Sequence, residues 1–131
     1  MPSTDRKQYT VLVVDDAEAH RYAIARGLRA EGFETLEAAT GRQALELALQ
    51  VAAVVLDVNL PDIDGMEVCR QLRGAPATAK LPVVHVSAVF VTGYHRAKGG
   101  HAGADEYMIA PVDTKVLARR LDTLIAARRA E

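Results

Sequence analysis

Ala53-Val54-Val55-Leu56-Asp57-Val58-Asn59-Leu60-Pro61-Asp62 is the stretch that decides the fold. An unbroken apolar run ends in a lone carboxylate, and a Pro/Asp/Gly turn follows it. A run without polar alternation reads as a strand buried on both faces, as central strands of parallel sheets are. Its last residue then stands at the carboxyl edge of the sheet, where open α/β folds keep their ligands. Asp57 is therefore the candidate reactive group, and the rest of the chain is expected to build a site around it or to report on it.

Working upstream, Tyr9 to Val14 is continuous and rich in β-branched residues, hence a second buried strand, and it ends in Asp15-Asp16. A helix is expected from about Ala17 to Ala30, with Ile24 and Leu28 one turn apart and Gly32 closing it. Phe33 to Glu37 reads as a short strand. Thr40-Gly41-Arg42-Gln43 has the form of a capping box, and Ala44, Leu45, Ala48 and Leu49 mark the apolar face of the helix behind it.

Downstream, Asp64 caps a helix running to about Arg73 that buries Val68, Cys69 and Leu72. A loop from Gly74 to Lys80 leads to Pro82 and the strand Val83 to Ser87. By alternation, Phe90 to Ala102 should be a fourth helix, yet Gly93, Gly99 and Gly100 stand in it, each costing roughly 1 kcal/mol against alanine. A short, displaced or mobile helix is expected there. Asp105 to Ile109 is the fifth strand, and Asp113 caps a last helix. That helix turns Val116, Leu117, Leu121, Leu124 and Ile125 inward and Arg119, Arg120, Arg128 and Arg129 to solvent. Strand and helix alternate about five times, the signature of βαβ units and a parallel sheet covered on both faces.

The 131 residues suffice for one domain: a tail over 1–8, the domain over 9–128 and a tail over 129–131. Hydrophobic residues make up 50% and charged residues 25%, with a formal net charge of −1, which gives no electrostatic case for nucleic acid or a membrane surface. Cys69 is the only cysteine, which excludes an internal disulfide and a cysteine metal cage and fits a reducing, cytoplasmic compartment. No output domain is read after Arg129, so the chain is expected to be a free-standing module or one segment of a larger protein.

The chemistry gathers at the strand ends. The first strand ends in Asp15-Asp16, the third in Asp57 and the fourth in Ser87. Two like charges about 4 Å apart repel by about 4 kcal/mol at an effective dielectric of about 20. A hard divalent cation relieves this, and Mg2+ takes one or two carboxylates while keeping several waters. Such a metal suits phosphoryl transfer, and a carboxylate can itself accept the phosphoryl group.

Val11-Leu12-Val13-Val14-Asp15-Asp16, Leu56-Asp57-Val58-Asn59-Leu60-Pro61-Asp62-Ile63-Asp64-Gly65, Val86-Ser87-Ala88 and Gly103-Ala104-Asp105-Glu106-Tyr107 together resemble the receiver domain of two-component response regulators, from about Tyr9 to Arg128. The resemblance implies a flavodoxin-like, doubly wound sheet of order 2-1-3-4-5. It implies that Asp57 is the phosphoacceptor, charged from a phosphohistidine on a sensor histidine kinase or phosphotransfer protein. Asp16 would ligate Mg2+ directly, Asp15 through water, and the backbone carbonyl of Asn59 would complete the protein's share of the shell. Ser87 would bond a phosphoryl oxygen, and Tyr107 would swing inward as the switch. Asn59 and Val89 stand where the family tunes autodephosphorylation. A homodimer through the fourth helix, fifth strand and fifth helix is a further implication, as is a cis Ala110-Pro111 bond.

Two departures stand out. The family reads Lys-Pro after the fifth strand, and here Ala110 precedes Pro111. The lysine ammonium would make a charge-assisted bond worth roughly 1.5–3 kcal/mol, as large as typical allosteric coupling energies of about 1–3 kcal/mol. Phosphorylation is expected to survive and switching to weaken or reroute, with Lys98 and Lys115 the nearest lysines in sequence. The second departure is the Gly99-Gly100-His101-Ala102-Gly103 ending of the fourth helix, in a loop one residue longer than usual. The alternative reading is a pseudo-receiver that binds partners without phosphorylation. An enzyme with an aspartyl-phosphate intermediate fits less well, because Asn59 stands where its second acid belongs; no turnover chemistry is expected. His85 reads as a satisfied core or edge histidine, and His20, His95 and His101 as surface residues. Cys69 reads as a small buried hydrophobe, and Val89-Phe90-Val91 as a partner patch or an inward-turned loop.

Overall fold

The computed structural model describes residues 6–87 and 103–129. Within them the chain runs through β1 (Thr10–Val14), α1 (Glu18–Ala30), β2 (Glu34–Ala38), α2 (Gly41–Leu47), β3 (Ala53–Asp57), α3 (Gly65–Gly74), β4 (Val83–Ser87), β5 (Glu106–Ile109) and a last helix, Thr114–Arg129. The strands form one parallel sheet of order β2-β1-β3-β4-β5, the doubly wound architecture expected. The helix expected over Phe90 to Ala102 lies outside the described residues, as do Val89-Phe90-Val91, Lys98, His95 and His101.

Strand alternation divides the core in two. Leu12, Val14, Val54, Leu56 and Val83 pack with Ala44, Ala48, Val68, Cys69 and Leu72 of the α2–α3 side. Val11, Val13, Val55, Val84 and Val86 pack with Ile24, Ala25, Leu28, Leu117, Leu121 and Ile125 of α1 and the last helix. Residues 53–56 of β3 are at most 1% exposed, as a strand covered on both faces must be. Register then sets the site: Val14 lies beside Leu56 and Asp57 beside Val86, so the carboxyl ends of β1, β3 and β4 are level.

Local signals act where expected, with additions. The Thr40 side chain accepts the Gln43 N–H at 3.1 Å, while the Gln43 side chain reaches back to the Ala39 N–H at 3.0 Å. Asp64 accepts the Glu67 N–H at 2.9 Å, and Asp113 accepts the Lys115 N–H at 2.9 Å. The Ala110-Pro111 bond is cis, and Cys69 and His85 are both wholly buried.

Two expectations are corrected. Leu49 does not face the core; it is 69% exposed. After Leu47 the chain tightens into a 3-10 turn, Ala48–Gln50, whose shorter repeat keeps Ala48 inside and rotates Leu49 out. The tail expected over 1–8 is docked from Arg6 onward. Arg6 is 8% exposed and its guanidinium donates to both Asp122 oxygens, at 3.0 and 2.6 Å, and to the Glu31 carbonyl at 2.7 Å. It also lies over the Phe33 ring. A side chain with two acids and an aromatic face to bind does not fray.

Candidate functional site

β1 and β3 bring three carboxylates together. One ligand oxygen from each of Asp15, Asp16 and Asp57 lies within 4.8 Å of the others. Asp57 is half-buried and pushed up to about 6, first by burial and then by the charges of Asp15 and Asp16; the Asn59 N–H, 3.2 Å from Asp57 Oδ1, opposes the shift. The group is thus ionised in most molecules at neutral pH but ready to gain from a nearby cation.

The two aspartates of β1 differ. Asp16 is exposed, while Asp15 is 3% exposed and held at every polar group. Its N–H donates to the Ala38 carbonyl at 3.1 Å and its carbonyl accepts from Arg21 at 2.9 Å. Its Oδ1 accepts the Ala17 N–H at 2.9 Å, and its Oδ2 meets His20 Nδ1. Sequence spacing concealed this role of His20, which was read as a surface residue. Histidine five residues after an aspartate carries no motif; only the turn into α1 brings it back.

The loop after β3 is shaped by close approach. The Gly65 N–H donates to the Val58 carbonyl at 2.8 Å, and a methyl at Gly65 would run into the Asp57 carbonyl and lie 2.9 Å from Val58 Cα. No side chain fits there. Asp62 reaches back to the start of α2 and accepts the Gly41 and Arg42 N–H groups at 2.8 and 2.9 Å, which holds its carboxyl down at about 2. Asn59 is exposed on the same loop.

Across the sheet edge, Ser87 is 3% exposed at the end of β4, and its carbonyl accepts the Ala110 N–H at 2.8 Å. Ala110 is half-buried against the α1 side of the core, and its methyl offers no donor. Lys115 is exposed on the first turn of the last helix. Tyr107 is half-buried, with its hydroxyl inside and lacking a hydrogen-bond partner among the described residues. Its ring stands edge-on to His85, 6.4 Å between centroids at 82°.

The donor set fits Mg2+: three convergent carboxylates, all hard oxygen ligands, whose mutual repulsion a divalent cation relieves.

Comparison with known proteins agrees with this geometry. The response regulator receiver domain model matches residues 11–122. The chain is 39% identical over 117 residues to the response regulator MprA of Mycolicibacterium vanbaalenii, covering 88% of this chain and 49% of that protein. It is 36% identical over 116 residues to the response regulator PleD of Caulobacter vibrioides, covering 87% of this chain and 25% of that one. The chain thus spans about half or less of these relatives. Among solved structures, the receiver domain of a Pseudomonas aeruginosa sensor histidine kinase, with a magnesium ion coordinated in its active-site cleft, superposes with a TM-score of 0.82 at 27% identity, covering 90% of this chain and 98% of that one. A five-stranded sheet of this order, with its acidic cluster at the strand ends and a family match across most of its length, makes this chain a member of the response regulator receiver domain family.

Proposed function

We propose that this receiver domain takes a phosphoryl group onto Asp57 from a phosphohistidine of a kinase or phosphotransfer protein, with Mg2+ held by Asp15, Asp16, Asp57 and the Asn59 carbonyl. The supporting observation is the convergence of the three carboxylates on one point at the end of β3. An Asp57 oxygen attacks phosphorus in line, the P–N bond breaks, and the donor imidazole keeps the electron pair. The bound metal would neutralise charge on the phosphoryl oxygens. Asp15 and Asp16 would bring it to the site, the Asn59 N–H holds Asp57 Oδ1, and the Ser87 hydroxyl would donate to an oxygen of the arriving phosphoryl group at the neighbouring strand end. Tyr107 is the residue that would report the event. A cytoplasmic location follows from the need to meet such a kinase. Dimerisation through the expected fourth helix, β5 and the last helix is part of the proposal, supported by β5 being the edge strand with Ile109 41% exposed.

Acetyl phosphate with Mg2+ should produce a retarded species on a phosphate-affinity gel that Asp57→Asn lacks. An unchanged mobility for the native chain, with a known receiver shifting alongside, would overturn the phosphoacceptor reading.

The second reading, a pseudo-receiver, is favoured by two observations. Ala110 offers no cation to pull on the phosphoryl group, and the Tyr107 hydroxyl is already inside. Binding of a partner equally by the native chain and Asp57→Asn would support it.

A further inference from the structure

We infer that His20 is a positioning residue for the metal pocket: its Nδ1–H fixes the carboxylate of Asp15 and so sets the affinity of the site for Mg2+. This rests on the metal reading given above and deepens it.

Asp15 is buried, and a buried carboxyl group must be hydrogen-bonded to remain. Its backbone and one oxygen are satisfied within the fold, by Ala38, Arg21 and Ala17. The second oxygen, Oδ2, is met by the imidazole. Without it, Asp15 could rotate about its side-chain bonds, held by a single N–H. The imidazole has no other polar engagement, because Nε2 is buried and lacks a hydrogen-bond partner among the described residues. Among the described residues the ring's hydrogen bond is to Asp15, and Asp15 Oδ2 is held by the ring. His20 is not a ligand itself, since the cluster of mutually close ligand atoms consists of Asp15, Asp16 and Asp57. It acts one step behind, where such partners typically change metal affinity by about 10–100-fold. A carboxylate has lone pairs enough to accept from Ala17 and His20 and still serve a hydrated cation.

Three variants test this by calorimetric Mg2+ titration of the unphosphorylated chain, with thermal unfolding recorded alongside. His20→Phe keeps a ring and loses the donor; its Mg2+ dissociation constant should rise about 10-fold or more. His20→Ala should do the same. His20→Asn places an amide N–H near the position of Nδ1 and should recover most of the affinity. Phe and Ala variants that bind Mg2+ as the native chain does would overturn the inference and leave the metal reading intact. Loss of affinity tracking loss of thermal stability, without rescue by Asn, would overturn it in favour of a packing role. A native chain that binds no Mg2+ would overturn the metal reading and this inference with it.

Discussion

At the scale of single residues, Ala110 stands where the receiver resemblance leads one to expect a lysine. Its N–H is tied to the Ser87 carbonyl, which holds this backbone beside the end of β4. The methyl side chain carries no donor. Ala110→Lys should therefore restore a charge-assisted bond to a phosphoryl mimic, worth roughly 1.5–3 kcal/mol. The expected outcome is a larger shift of the Tyr107 ring resonances on adding beryllofluoride and Mg2+ than in the native chain. An equal shift would show that the missing ammonium does not limit the switch. Much at this scale was legible from the chain: Asp57, Asp15 and Asp16 stand where strand ends placed them. His20 and Asp62 were not legible as site builders. Their partners lie five and about twenty residues away, across turns whose direction no local pattern encodes.

At the scale of elements, boundaries followed propensity and caps, and errors arose where a helix tightened locally or where contacts between distant segments intervened. Leu49 obeyed helical spacing in the sequence, but the turn around it is 3-10 and points it outward. Arg6 looked like a polar tail because Glu31 and Asp122, which hold it, are 25 and 116 residues away. The clamp ties the chain before β1 to the end of α1 and to the last helix, at the amino edge of the sheet. Arg6→Ala removes a bidentate pair and a stacking contact while leaving two partly solvated acids, so a loss of about 1–3 kcal/mol is expected. Urea unfolding should show a lower midpoint with an unchanged slope. Because Asp57 sits at the opposite edge, its phosphorylation by acetyl phosphate should persist; a parallel loss would mean that the clamp also shapes the site.

At the scale of the whole molecule, stability and function meet in the α2–α3 side of the core, where His85 is a wholly buried imidazole. Its place inside a strand left a core or an edge position open, and the satisfied state expected of it is not seen: both ring nitrogens are buried and lack hydrogen-bond partners among the described residues. Burial pushes its pKa down to about 4 from the ordinary 6.5. Between these values the unfolded chain binds a proton that the folded chain refuses, so stability is fully present above about 6.5 and is lost as pH falls toward about 4. The loss approaches about 3 kcal/mol, since each pH unit across this window costs about 1.4 kcal/mol. Asp57, raised to about 6, works in the opposite sense, because its folded form prefers the proton and gains stability as pH falls through about 6. The two slopes overlap and partly cancel in the metal-free native chain. Asp57→Asn removes the second, and with chelator present its unfolding free energy should fall steeply between pH 6.5 and 4. Adding His85→Leu to that background should flatten the curve. A slope that persists without the imidazole would place the acid lability elsewhere in the core.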